Sequence, residues 1–134
     1  DGLQKKEKEN YVVDARSFTE AESRIMEEMS SYISGEFTIE DIKIASYKEI
    51  FFSDEEMADR WYKAKLQFIT IDEKTEKEKR SNVNYLVQAG TLKGAVNNIE
   101  SVMGTTMIDY VIASVAETTL MDVFEYGKEV KSEE

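Results

Sequence analysis

Tyr11-Val12-Val13-Asp14-Ala15 returns 74 residues later as Tyr85-Leu86-Val87-Gln88-Ala89. The same offset carries Ser17 onto Thr91, Ala21 onto Ala95, Ile25 onto Ile99 and Met29 onto Met103, with 6 identities over the 19 positions from 11 to 29. At an offset of 68, Asp41–Glu49 matches Asp109–Glu117 at 5 of 9 positions. Self-similarity at a fixed spacing restricts a fold more than local propensity does, because each copy must build the same unit. The change of offset is a six-residue difference after the helix, and loops absorb such differences at small entropic cost.

Each copy reads as strand, helix, strand. Tyr11, Val13 and Ala15 share one face of an extended segment. Ser17-Phe18-Thr19-Glu20 is a capping box, and Phe18, Ala21, Ile25 and Met29 then form a helical stripe that Ser34-Gly35 ends. In the second copy Thr91 is the cap, Leu92, Ala95, Ile99 and Met103 form the stripe, and Gly104 stops it. The segment Asp41–Glu49 is expected to be a strand wetted on one face. Tyr110–Ala113, apolar on both faces, is expected nearer a sheet centre. Trp61–Ile71 alternates, with Tyr62, Ala64, Leu66 and Phe68 on one face. The polar run Asp72–Asn82 turns it into Val83–Ala89 as a hairpin.

The expected fold is therefore α+β: a duplicated ββαβ unit, a mostly antiparallel sheet, and two helices packed on one face. One domain spans 1–134, divided into a first repeat (1–52), a connector (53–60), a second repeat (61–126) and a charged tail (127–134). The first copy has no counterpart of Trp61–Ile71. Residues 1–10, with Lys5, Lys6, Glu7 and Lys8, resemble the later hairpin loop with Lys74, Lys77, Lys79 and Arg80. The expectation is that the first strand of the first repeat, with any targeting segment it carried, is missing from this chain. In this chain the Tyr11–Ala15 edge would then be filled by a protein partner, a second copy or another segment of the chain itself, whereas the full-length protein should fill it with its own leading strand.

Chemistry is limited by what the chain lacks. With no Cys and no His, thiol nucleophiles, disulfides, zinc sites and Ser-His-Asp catalysis are excluded. A net charge of −11 disfavours sequence-independent binding to phosphate backbones. No apolar run is long enough to cross a membrane. Leu, Ile, Val and Phe suffice for one core.

A few features remain as candidates. Trp61 and Tyr62 open a strand and would stack a base or anchor a partner if exposed; a core position is the alternative. Lys77, Lys79 and Arg80 sit at the hairpin tip and suit phosphates, although Glu76 and Glu78 between them weaken the field. Asp41-Ile42-Lys43 has the form of half a nuclease core whose other acid would be Asp14, but three residues are little to go on. Asp54, Glu55, Glu56 and Asp59 lack the spacing of a calcium loop. No catalytic residue, cofactor or metal ligand is assigned.

Four segments carry a family resemblance. Tyr11–Glu22, Ile33–Thr38, Trp61–Leu66 and Met121–Tyr126 resemble domain-of-unknown-function family 4494, found mainly in Bacteroides-type gut bacteria and their phages. The resemblance implies a cytoplasmic bacterial or phage protein, and it brings no catalytic residues. The functional expectation is a non-enzymatic binding or assembly module. Its alternatives are an accessory nucleic-acid-binding protein of phage or mobile-element DNA metabolism and a small-ligand binder between the repeats.

Overall fold

The computed structural model describes residues 7–33 and 35–125. The expected tail at 127–134 and residues 1–6 lie outside them. Six strands and two helices follow in the order β1 (Asn10–Val13), α1 (Phe18–Ser30), β2 (Glu49–Phe51), β3 (Arg60–Ile71), β4 (Glu78–Ala89), α2 (Leu92–Met103), β5 (Tyr110–Glu117) and β6 (Leu120–Phe124). The class is α+β with mostly antiparallel pairing. Where one sheet was expected there are two, ordered β2-β4-β3-β5 and β1-β6. The helices accordingly do not share a face of a single sheet. Two compact units result: residues up to Ala45 with the chain from Leu120, and Ser46–Thr119.

In the unit Ser46–Thr119, β3 and β4 pair along twelve positions, from Arg60 opposite Ala89 to Ile71 opposite Glu78. The hairpin loop is shorter than the polar run suggests, because β4 starts at Glu78 and takes in Lys79, Arg80 and Asn82. An arm wet on both faces needs only backbone pairing, so polar side chains do not end it. The turn closes when Asp72 N–H donates to Lys77 O (2.9 Å) and Glu76 N–H to Asp72 O (2.7 Å). Glu76 takes a left-handed conformation at φ 56°, a position glycine would hold with less strain.

Tyr62, Ala64 and Leu66 of β3 and Tyr85, Val87 and Ala89 of β4 form the core with Ala95, Ile99 and Met103 of α2. The apolar period of two in the strands meets the i, i+4, i+8 stripe of the helix. Thr91 Oγ1 accepts from Gly94 N–H (2.9 Å) and Gly104 caps the end of the helix. β2 lies parallel to β4, with Phe51 stacked on Tyr85 at 4.7 Å. Gly90 is required by close approach: a Cβ there would meet Met57 O at 2.4 Å.

In the other unit, β1 and β6 pair in parallel, Tyr11 opposite Asp122 and Val13 opposite Phe124. Tyr11 stacks on Phe124 at 5.7 Å. The Ser17 hydroxyl accepts from Glu20 N–H (3.1 Å), and the Glu20 carboxylate accepts from Arg16 N–H (2.9 Å), one residue earlier than a capping box requires. The helix ends at Ser30, short of the expected Ser34-Gly35, where Tyr32 and Ile33 N–H close onto Met29 O. Arg24 donates to Glu125 O (2.8 Å) and pairs with Glu28.

The expected strand Asp41–Glu49 is corrected. Residues 36–47 have no regular structure, and only Glu49–Phe51 is extended and paired. Among the described residues no strand lies beside it to pair. Asp109–Glu117, its sequence match, is a strand because β3 pairs with β5 through Tyr62–Phe68. A strand conformation without a partner leaves its backbone groups to water and gains nothing from the ladder.

Candidate functional site

The residues that sequence suggested for partner contact do not gather in one place. Trp61 and Tyr62 are buried, at 3% and 2% exposure, so neither ring presents a face to a base. Trp61 meets Phe52 edge-on at 5.6 Å, and its carbonyl accepts from the Thr118 hydroxyl (2.8 Å). Lys77, Lys79 and Arg80 are exposed on the hairpin arm, which extends beyond Phe68, the last β3 residue paired with β5. Arg80 Nε lies 2.9 Å from Glu78 Oε2 and its Nη1 donates to Gln67 Oε1. Of these three cations, Arg80 is thus answered locally by Glu78. Asp41 and Lys43 form an exposed ion pair off any strand, at 3.5 Å. Among the described residues no group of three carboxylates is placed to hold a metal. No helix there is long and apolar enough to cross a membrane.

The feature that stands out is the second edge of β1. Asp14 N–H donates to Phe124 O. Because backbone groups alternate along a strand, those of Tyr11 and Val13 face away from β6. Among the described residues no strand pairs with that edge. On β4 the matching residues Tyr85 and Val87 are paired with Ala64 and Tyr62 of β3. One edge of Tyr11–Val13 is thus paired, with β6 of the same chain.

Side chains around the open edge are under-packed. Val13, Ala15, Ala21 and Ile25 are half-buried, whereas their matches Val87, Ala89, Ala95 and Ile99 are buried. Met29 is buried like Met103, and Phe18 is as open as Leu92. Tyr11 and Val12 are likewise less buried than their matches Tyr85 and Leu86. A shallow cleft of about 320 Å³ lies between the first turns of α1 and residues 39–42, lined by Phe18, Thr19, Glu22, Ile39, Asp41 and Ile42. Ile44 stands 81% exposed on the irregular segment.

Electrostatically the region is acidic. Residues 7–45 and 120–125 carry twelve carboxylates and four basic side chains. Tyr11 donates to Glu9 Oε1 (2.6 Å). Partial burial, this bond and the nearby carboxylates of Glu9 and Asp122 push its phenol up to about 12. Ionising it would place a third negative charge there. Sequence reasoning did not single out Glu9 and Asp122, the two carboxylates that act on Tyr11.

No curated protein and no solved structure matches the chain. A family model described as a domain of unknown function, DUF4494, matches residues 1–126. That span holds both copies of the repeated segment and every described strand and helix, so the chain belongs to the DUF4494 family.

Proposed function

We propose that this protein is a non-enzymatic binding or assembly module of the cytoplasm that engages a protein partner along the open edge of β1. The observation that carries this reading is the edge itself: Tyr11 and Val13 aim backbone groups away from β6, beside half-covered apolar side chains of β1 and α1. Strand edges of this kind bind extended segments by main-chain hydrogen bonds. The absence of cysteine from the chain is in keeping with a compartment where disulfides are rare.

The test is affinity purification from the native host with two baits, the natural chain and Val13→Pro. Proline at 13 removes an outward N–H and leaves Val12 and Asp14 free to pair with β6. Proteins captured by the first bait and lost with the second support the reading. Identical captures, or none, would overturn it.

A second reading, an accessory nucleic-acid-binding protein of phage or mobile-element DNA metabolism, is favoured by one observation, the projecting arm with Lys77, Lys79 and Arg80. Anisotropy titration with single-stranded DNA at low salt separates the two. Salt-dependent binding lost on mutating the arm would promote the second.

A further inference from the structure

We propose that the face of the four-stranded sheet turned away from α2 binds single-stranded nucleic acid, with Lys63 and Lys65 on its phosphates and the neighbouring amides on its bases. This rests on the nucleic-acid reading above and moves the contact from the arm to the sheet.

Register assigns the two faces. Tyr62, Ala64 and Leu66 of β3 and Tyr85 and Val87 of β4 lie in the core with α2, so the residues between them point the other way. That second face carries Lys63, Lys65 and Gln67 of β3, with Asn84 opposite Lys65 and Asn82 opposite Gln67 on β4. β5 adds Ser114 beside Lys65 and Ala116 beside Lys63. Side-chain bonds agree: Gln67 Nε2 donates to Asn82 Oδ1 (3.1 Å), and Arg80 Nη1 to Gln67 Oε1 (3.3 Å). Lys63, Lys65, Asn82 and Ser114 are exposed. Neither lysine has an ion-pair partner among the described residues.

Charge is sorted by face. Glu49 and Glu117 stand opposite Tyr85 and Tyr62, on the α2 side. On the second face the acids lie at the ends. Glu78 and Asp109 are at the arm, where Glu78 is held by Arg80. At the other end the Gln88 amide ties down Ala58 of the acidic loop 54–59. The middle is thus positive between negative margins, in a chain of net charge −11. An anionic strand is repelled at both ends and held between them. Its expected path crosses β3 along the rows Asn84–Lys65–Ser114 and Leu86–Lys63–Ala116.

The amides select the ligand. They offer donors and acceptors together, which unpaired base edges answer, whereas the carboxylates of an acidic peptide only accept. The outer strands of a four-stranded sheet stand about 14 Å apart, three spacings of about 4.8 Å. That is wider than the roughly 12 Å major groove, so these amides do not reach bases inside a duplex. Trp61 on this face is buried and stacks no base, so phosphate contacts supply most of the affinity and salt weakens it.

The test titrates the full chain into a labelled oligothymidylate at low salt. Affinity is read by anisotropy, and the contact is located by amide chemical shifts. The expected result is saturable binding with shifts at Lys63, Lys65, Asn84 and Ser114. Two phosphate contacts give a slope of about −1.4 for log affinity against log salt, at about −0.7 per phosphate. Lys63→Glu with Lys65→Glu should weaken binding by about tenfold or more, and Lys63→Arg with Lys65→Arg should retain it. Asn84→Ala should weaken it without changing the slope. The oligonucleotide paired with its complement should bind about tenfold more weakly. Unchanged amide exchange in β3 and β4 checks the folding of each variant.

Equal binding of the double-glutamate variant or of the duplex would overturn the proposal. Displacement by polyglutamate as readily as by unlabelled oligonucleotide would assign the face to an acidic protein and overturn it too. No binding at all would overturn the proposal and the nucleic-acid reading together. Binding that survives the double-glutamate variant but is lost when Lys77, Lys79 and Arg80 become serine would refute the sheet face and leave that reading standing.

Discussion

Ile99 and Ile25 occupy matching helix positions in different surroundings, and truncating each measures that difference. Ile99 has 0% exposure among Tyr62, Leu66, Tyr85 and Val87. Ile99→Ala removes three carbons, roughly 2.4 kcal/mol of transfer free energy at about 0.8 per methylene. A residual cavity of roughly 60 Å³ adds about 1.4 kcal/mol at about 24 cal/mol per Å³. The sum is about 4 kcal/mol, within the usual range for isoleucine truncation. Ile25 is half-buried. At least about two-thirds of its transfer contribution is at stake and an open site leaves no closed cavity, so Ile25→Ala should cost about 2 kcal/mol. Because the chain has two compact units, a single denaturation midpoint can mix them. The assay is therefore native-state hydrogen exchange, read at α1 and β1 for Ile25→Ala and at α2 and β4 for Ile99→Ala. Equal losses, or a larger loss at Ile25, would show that its surroundings are as closed as those of Ile99 and would refute the reasoning.

Gly90→Ala should destabilise the β4–α2 connection by about 1–3 kcal/mol, the range for overpacking, because Met57 O stands 2.4 Å from the new carbon and is backbone; urea denaturation checks it. Thr91→Ala removes the acceptor for Gly94 N–H and should lower stability by about 1 kcal/mol, with Thr91→Ser close to neutral. Replacing Lys77, Lys79 and Arg80 with serine should change stability by no more than about 0.5 kcal/mol per site, measured by the same denaturation. The pH dependence of Tyr11 follows from its phenol being pushed up to about 12 in the fold. Folding favours the neutral form, so its contribution is complete below about pH 10 and lost as pH rises from there through about 12. Difference absorbance of the natural chain against Tyr11→Phe should show one tyrosine titrating late and the loss of that stability in the variant.

Helices and the hairpin were legible because their signals are local. Ser17 and Thr91 cap where their hydroxyls precede an apolar stripe, and Gly104 stops α2. The β3–β4 pairing follows from alternation across a polar turn. Three things depended on distant partners and were not legible. Asp41–Tyr47 resembles β5 in sequence, but among the described residues no strand pairs with it. Glu49–Phe51 and Leu120–Phe124 take the parallel positions beside β4 and β1, a choice made by packing of Phe51 and Phe124 against tyrosines far along the chain. The burial of Trp61 and Tyr62 is likewise tertiary, since an aromatic pair opening a strand serves a surface or a core equally well by sequence. For the candidate site, β-forming residues at 11–13 pointed to the edge, while the Asp122 carboxylate reaches Tyr11 only once β6 pairs with β1.

The pairing of β1 with β6 has a bearing on synthesis. Tyr11 and Asp122 bracket the whole of the unit Ser46–Thr119, so on the ribosome β1 and α1 emerge long before the strand that completes their sheet. A thirteen-residue helix and one short strand are marginal alone. Joining Tyr11 to Asp122 across an unstructured chain of that length carries a closure entropy of about 4 kcal/mol. Once Ser46–Thr119 has folded, the intervening residues are no longer free and most of that closure is already accomplished. Completion of the N-terminal sheet is therefore the last step of a vectorial sequence. Until β6 arrives, the edge of β1 that it covers is open, and the nascent chain carries that unshielded edge for the time taken to translate the entire inserted unit.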